Sequence, residues 1–125
     1  MTAMDYRRLF ADVHRRPDSY VMSGSFRESV AFINGCDAGN SWGLLIGFPE
    51  WLASKLGCEA NLAWPALIAN LAGTPPRSLF SGETPEADEA RAVEVLFAEV
   101  DAFLAARNGP HGARIIISDY LKAHA

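Results

Sequence analysis

Apolar residues recur along most of the chain at spacings of three and four, the signature of helices that bury one face. Over residues 3–15, Met4, Leu9, Phe10 and Val13, with Tyr6 alongside, line one side and the arginines fall on the other. Arg16-Pro17-Asp18-Ser19 closes this segment, because the residue before a proline is driven out of the α region. A second helix is predicted over 23–40. Ser25 and Glu28 form a capping box at its start, each side chain accepting a backbone N–H from the other's end of the turn. Phe26, Val30, Ile33 and Asp37 then follow at i, i+4, i+7 and i+11, with Phe32 and Cys36 on an adjoining stripe.

Gly43 to Gly47 is a glycine-bounded apolar stretch, and Pro49 suits the first turn of a third helix. Trp51, Leu52 and Leu56 supply its inner face, and Gly57 its stop. Asn61 is read as the cap of a fourth helix running through Trp64, Ile68 and Leu71 to Gly73, with Pro65 in the first turn, where a missing N–H costs least. Leu62, Trp64, Leu67, Ile68 and Leu71 leave it few polar positions, so it is expected to be central. Gly73-Thr74-Pro75-Pro76 opens a loop to Thr84, from which Leu79 and Phe80 are expected to tuck back onto the body. Thr84-Pro85 reads as cap plus first residue of the strongest helix, 85–107, with Val93, Leu96, Val100 and Phe103 inward and Phe97 and Leu104 widening the stripe. After Gly109-Pro110-His111-Gly112, the run Ile115-Ile116-Ile117 has the composition of a strand but no partner strand elsewhere. A final helix over 113–123 is preferred, using Ile116, Ile117, Tyr120 and Leu121. The fold class expected is all-α: a compact irregular bundle of five or six helices in one domain spanning 1–125.

Composition adds bounds. A chain of 125 residues, half of them hydrophobic, can bury a core without disulfide or metal staples. The formal charge of −4 is uneven: residues 1–20 carry four Arg against three Asp, and residues 74–108 carry seven acids against three Arg. That balance argues against nucleic acid, which needs a clustered basic surface. Met1 to Phe10 holds no apolar run of the kind that directs secretion. The apolar stretches Trp42–Phe48 and Leu62–Ala69 are too short to span a bilayer. Cys36 and Cys58 read as small buried hydrophobes in a reducing compartment, so a cytoplasmic location is expected.

The search for chemistry returns little. None of His14, His111 and His124 lies two to four positions from another histidine or a cysteine, so no metal site or cofactor is expected. Cys36 or Cys58 with the distant His111 gives only a remote prospect of a Cys/His enzyme. Gly39, Gly43 and Gly47 recur every four residues, but no Lys-Ser/Thr follows, and the pattern is not a phosphate loop. The acidic run from Glu83 to Asp101 has two readings. The first acids complement the helix dipole and the rest line a solvated face; or the run is a negative patch for a basic protein partner, with Glu86, Glu89, Glu94 and Asp101 as the protein-binding candidates. Trp42, Phe48, Trp51 and Trp64 are expected in the core. Any of them left exposed beside the glycine-rich turn would mark a binding surface, because tryptophan is enriched at interaction hot spots.

The order Arg16-Pro17-x-x-Tyr20, Phe32-Ile33-x-Gly35, Gly47-Phe48-x-x-Trp51-Leu52 and Trp64-x-x-Leu67-Ile68 resembles a family of small uncharacterised bacterial proteins similar to immunity proteins of polymorphic or contact-dependent toxin systems. The resemblance covers residues 16–70, and the usual Arg-Pro-Gly-Met-Tyr start is Arg-Pro-Asp-Ser-Tyr here. It implies a protein-binding module that neutralises a toxin domain by direct contact. The alternative is a scaffold or regulatory subunit acting as a homodimer through the Trp/Gly region.

Overall fold

The computed structural model describes residues 4–108 and 112–124. Among the described residues there are seven α-helices, one short 3-10 turn and no strand. They are α1 (Tyr6–Arg15), the 3-10 turn Pro17–Tyr20, α2 (Phe26–Gly39), α3 (Phe48–Leu56), α4 (Trp64–Ala72), α5 (Pro76–Ser81), α6 (Glu86–Arg107) and α7 (Gly112–Ala123). The all-helical class is as expected, and the helix count exceeds the expected five or six. The additional helix is α5, which lies within the stretch read as a loop. The expected helix start at residue 3 and the break at 109–111 lie outside the described residues.

Most element ends follow the local chemistry. The Ser25–Glu28 capping box forms as expected, and its serine Oγ accepts the Glu28 N–H at 3.2 Å. Gly57 and Gly73 end α3 and α4 in left-handed backbone, at φ +69° and +75°. Two caps differ from expectation. α4 begins at Trp64 behind Ala63, so Asn61 is no cap; Pro65 already fills the first turn, and its missing N–H leaves less to cap. Pro85, not Thr84, takes the position before α6, and the Thr84 hydroxyl is buried with no partner among the described residues. Ile115–Ile117 is helical, Ile116 turned inward.

The core is organised around α6, which packs against α1, α2, α3, α4 and α7. Its fully buried Leu96, Val100 and Phe103 meet Phe10 and Val13 of α1, Phe26 and Ile33 of α2, Phe48 and Leu52 of α3, and Leu67 and Ile68 of α4 in one cluster. Phe48 is the aromatic hub, with ring centroids 5.0 Å from Phe103 and 5.5 Å from Trp64. No helix among the described residues is long and apolar enough to cross a membrane.

The residues that carry the resemblance hold this fold together. Arg16 donates to both carboxylate oxygens of Asp12, at 3.0 and 2.8 Å, and the Tyr20 hydroxyl donates to the same carboxylate at 2.7 Å. The chain thereby turns back on α1, and Tyr20 meets Phe32 edge to face. Phe48, Leu52, Leu67 and Ile68 are core residues, and Gly47 adopts φ +94°, which a side chain would strain.

Candidate functional site

The segment between α2 and α3, residues 40–47, combines features that packing alone does not demand. As α2 ends, Ser41 and Trp42 take successive left-handed conformations, φ +57° and +62°. For residues other than glycine each such conformation costs about 1–2 kcal/mol. The segment then divides sharply by exposure. Leu44 and Leu45 are buried, whereas the Ile46 side chain points outward and Trp42 is 64% exposed.

Three helices hold this conformation. From α2, the Asp37 carbonyl accepts the Trp42 N–H at 2.8 Å, and its buried carboxylate accepts the Leu45 N–H at 3.1 Å. From α1, the Tyr6 hydroxyl accepts a hydrogen bond from the Asn40 side chain at 2.6 Å, while the same amide also donates to the Cys36 carbonyl at 2.7 Å. From the last turn of α6, the Arg107 guanidinium donates to the Leu44 carbonyl and, at 2.7 Å, to the Gly43 carbonyl. Net worths of about 0.5–1.5 kcal/mol per neutral bond, and about 1.5–3 kcal/mol for a charged donor, are enough to offset two strained residues. The loop backbone is therefore over-determined, and the Trp42 ring is left facing solvent.

Beside the loop lies a groove of about 740 Å³ between the first turn of α1 and the end of α6, with Tyr6, Arg7, Arg8, Leu44, Asp101 and Arg107 among its lining residues. Arg7 makes a two-pronged contact with Asp101, at 2.9 and 3.2 Å. The Arg8 side chain makes no hydrogen bond or ion pair among the described residues.

The four acids singled out in the sequence differ in what engages them, and Glu94 and Asp101 line one groove against α1. Glu89 accepts the Phe26 N–H at 2.8 Å and so caps α2 from a different helix. Glu94 pairs with His14 at 3.3 Å, yet its side chain stays 72% exposed. Asp101 is engaged by Arg7, and only Glu86 is exposed without a side-chain partner among the described residues. Glu99, which belongs to the same run, accepts hydrogen bonds from Lys55 and from the Trp51 indole.

The remaining candidates are woven into packing. His14 stacks on Phe97, ring centroids 4.6 Å apart, and His124 interacts through Nδ1 with the Tyr120 carbonyl at 2.9 Å. Burial pushes the Cys36 thiol up, the opposite of what a nucleophilic thiolate requires. Cys58 is half-buried just beyond Gly57, and the pairing with His111 lies outside the described residues. Among the described residues no group of three His, Cys, Asp or Glu side chains is placed to hold a metal ion.

Asp37 and Arg107, which fix the loop, carry little signal in the sequence. An aspartate on an otherwise apolar helix stripe was the one available clue, and it pointed to burial rather than to a purpose. Trp42 is the tryptophan that meets the condition of exposure beside the glycine-rich turn; Trp51 is half-buried and Trp64 is buried, its indole N–H donating to Asn34 at 3.2 Å.

Among the described residues the fold is all-helical, with a hydrogen-bonded loop between α2 and α3 that leaves Trp42 and Ile46 exposed. No protein-family model, curated protein or solved structure matches the chain significantly.

Proposed function

We propose that this protein is a protein-binding module that docks through the 40–47 loop, with Trp42 entering a pocket on its partner. The observation that carries the reading is a strained tryptophan, 64% exposed, on a loop fastened by three helices. A residue kept only for packing would be buried, and one kept only for the turn would be glycine or asparagine. A rigid aromatic anchor loses little entropy on binding and suits the centre of an interface. The resemblance over residues 16–70 supplies the finer form: a cytoplasmic immunity protein that neutralises a bacterial toxin by direct contact. Of the acidic candidates, Glu86 and Glu94 stay exposed, but Glu86 lies at the end of α6 opposite the loop and outside a contact centred on Trp42. The test is recovery of partners from the source cells by tagged wild-type protein and by Trp42→Ala, with mass spectrometry. The reading expects a toxin-like protein held by the wild type and lost by the variant. Equal recovery by both would remove the loop from the contact.

A second reading, a homo-oligomeric scaffold, draws on the outer face of α7. There Ile117 and the exposed Leu121 lie between Arg114 and Lys122. Two like-charged flanks oppose self-pairing of that face, which is why this reading stands second. A mass in solution equal to one chain at all concentrations would dispose of it.

A further inference from the structure

We infer that residues 74–84 form a strap that lifts off α2 and α4 as one unit while the other helices stay folded, uncovering Phe26; this stands apart from the loop reading. The segment joins α4 to α6 and contains α5. Its hydrogen bonds are turned inward. The Ser78 and Leu79 N–H groups donate to the Pro75 carbonyl, those of Gly82 and Glu83 to the Ser78 carbonyl, and the Ser81 hydroxyl also to Ser78. Pro75 and Pro76 have no N–H to offer. Among the described residues no hydrogen bond or ion pair joins 75–84 to the rest of the chain. The nearest tie is the Thr74 N–H, which donates to the Ala69 carbonyl at 3.0 Å.

Apolar contact alone holds the strap down where α5 packs on α2 and α4. Leu79 is its one buried apolar side chain, and Phe80, 39% exposed, meets the fully buried Phe26 edge to face at 5.8 Å. Closure is opposed at both ends. Thr74 and Thr84 are 4% and 9% exposed, and neither hydroxyl has a hydrogen-bond partner among the described residues. A buried hydroxyl without a partner destabilises, and one that reaches water does not. Opening carries both threonines to solvent and removes that penalty. Gly73 and Gly82, at φ +75° and +79° with open space where a Cβ would stand, are the joints on either side of α5. Two apolar side chains are thus set against two unsatisfied hydroxyls, and opening breaks no hydrogen bond between residues 75–84 and the body. Segments with few buried contacts and no hydrogen bonds to their surroundings open first.

The experiment is native-state hydrogen exchange on the full-length protein over low denaturant concentrations, read amide by amide by NMR. It compares the wild type, the Thr74→Val/Thr84→Val pair and Phe80→Ala. The inference expects the amides of Leu79, Gly82 and Glu83 to share one opening well below global unfolding. The denaturant slope of that opening should lie above zero but below that of Leu96 and Val100 in α6, since a lifted strap exposes part of the apolar surface. The valine pair should slow exchange in the strap by about fivefold or more, because valine fills the same space and needs no partner. Phe80→Ala should speed it by about fivefold or more through loss of the contact with Phe26. Strap amides that exchange only at the global rate of Leu96 and Val100 would overturn the inference. So would a denaturant slope of zero, the mark of α5 fraying in place. A valine pair that exchanges as fast as the wild type, or faster, would show the hydroxyls satisfied in the closed state and overturn it too.

Discussion

Trp42 sets two demands against each other within a single residue. Its backbone at φ +62° favours glycine, while its exposed ring has no role in the core. Trp42→Gly is expected to raise stability by up to about 1 kcal/mol, relief of left-handed strain partly offset by the greater freedom of the unfolded chain, and to abolish partner binding. Thermal melts beside a binding titration check both halves; a loss of stability would show that the ring braces the loop. Val21 provides an internal comparison, because it combines φ +59° with 95% exposure and a β-branched side chain. Val21→Gly should raise the melting temperature without touching the binding measured for the loop.

The elements are joined by a small number of polar contacts, and these make separable predictions. Arg107→Met keeps the length of the side chain but removes the donors to Gly43 and Leu44. It should cost about 1–3 kcal/mol and speed amide exchange at Leu45, whose N–H is held by Asp37, more than at amides of the α3–α4 core. At the other end of α1, hydrogen bonds from Arg16, Tyr20 and Arg15 hold the Asp12 carboxyl well below the usual carboxylate range. Because the folded state depresses this pKa, the stabilisation is present above the ordinary carboxylate value near 4 and is lost as pH falls through and below it. Asp12→Asn should therefore be less stable than the wild type at neutral pH, with the gap closing in acid; denaturant titrations along a pH series give the comparison. Six of the seven helices were legible because each shows several apolar positions at a helical period, from Phe26, Val30 and Ile33 in α2 to Val93, Leu96 and Val100 in α6. α5 was not, since six residues between prolines and glycine show too little period to distinguish a helix from a loop.

On the scale of the whole molecule, distance along the chain decides what a sequence reveals. The exposure of a tryptophan beside the glycine-rich turn was posed by the sequence as a condition, but the contacts that satisfy it join residues 63 and 64 positions apart, Arg107 to Leu44 and Gly43. No local pattern encodes them. The partners of the acidic run are equally distant: Glu89 accepts the Phe26 N–H across 63 positions, and Asp101 meets Arg7 across 94.

The two left-handed residues at 41 and 42 also bear on how the protein would respond to selection. A population of variants screened for heat tolerance alone should drift toward glycine or asparagine at these positions. One screened for attachment to the partner should hold the tryptophan and seek its heat tolerance elsewhere. The codon at position 42 would then report, generation by generation, which of the two pressures the lineage was under.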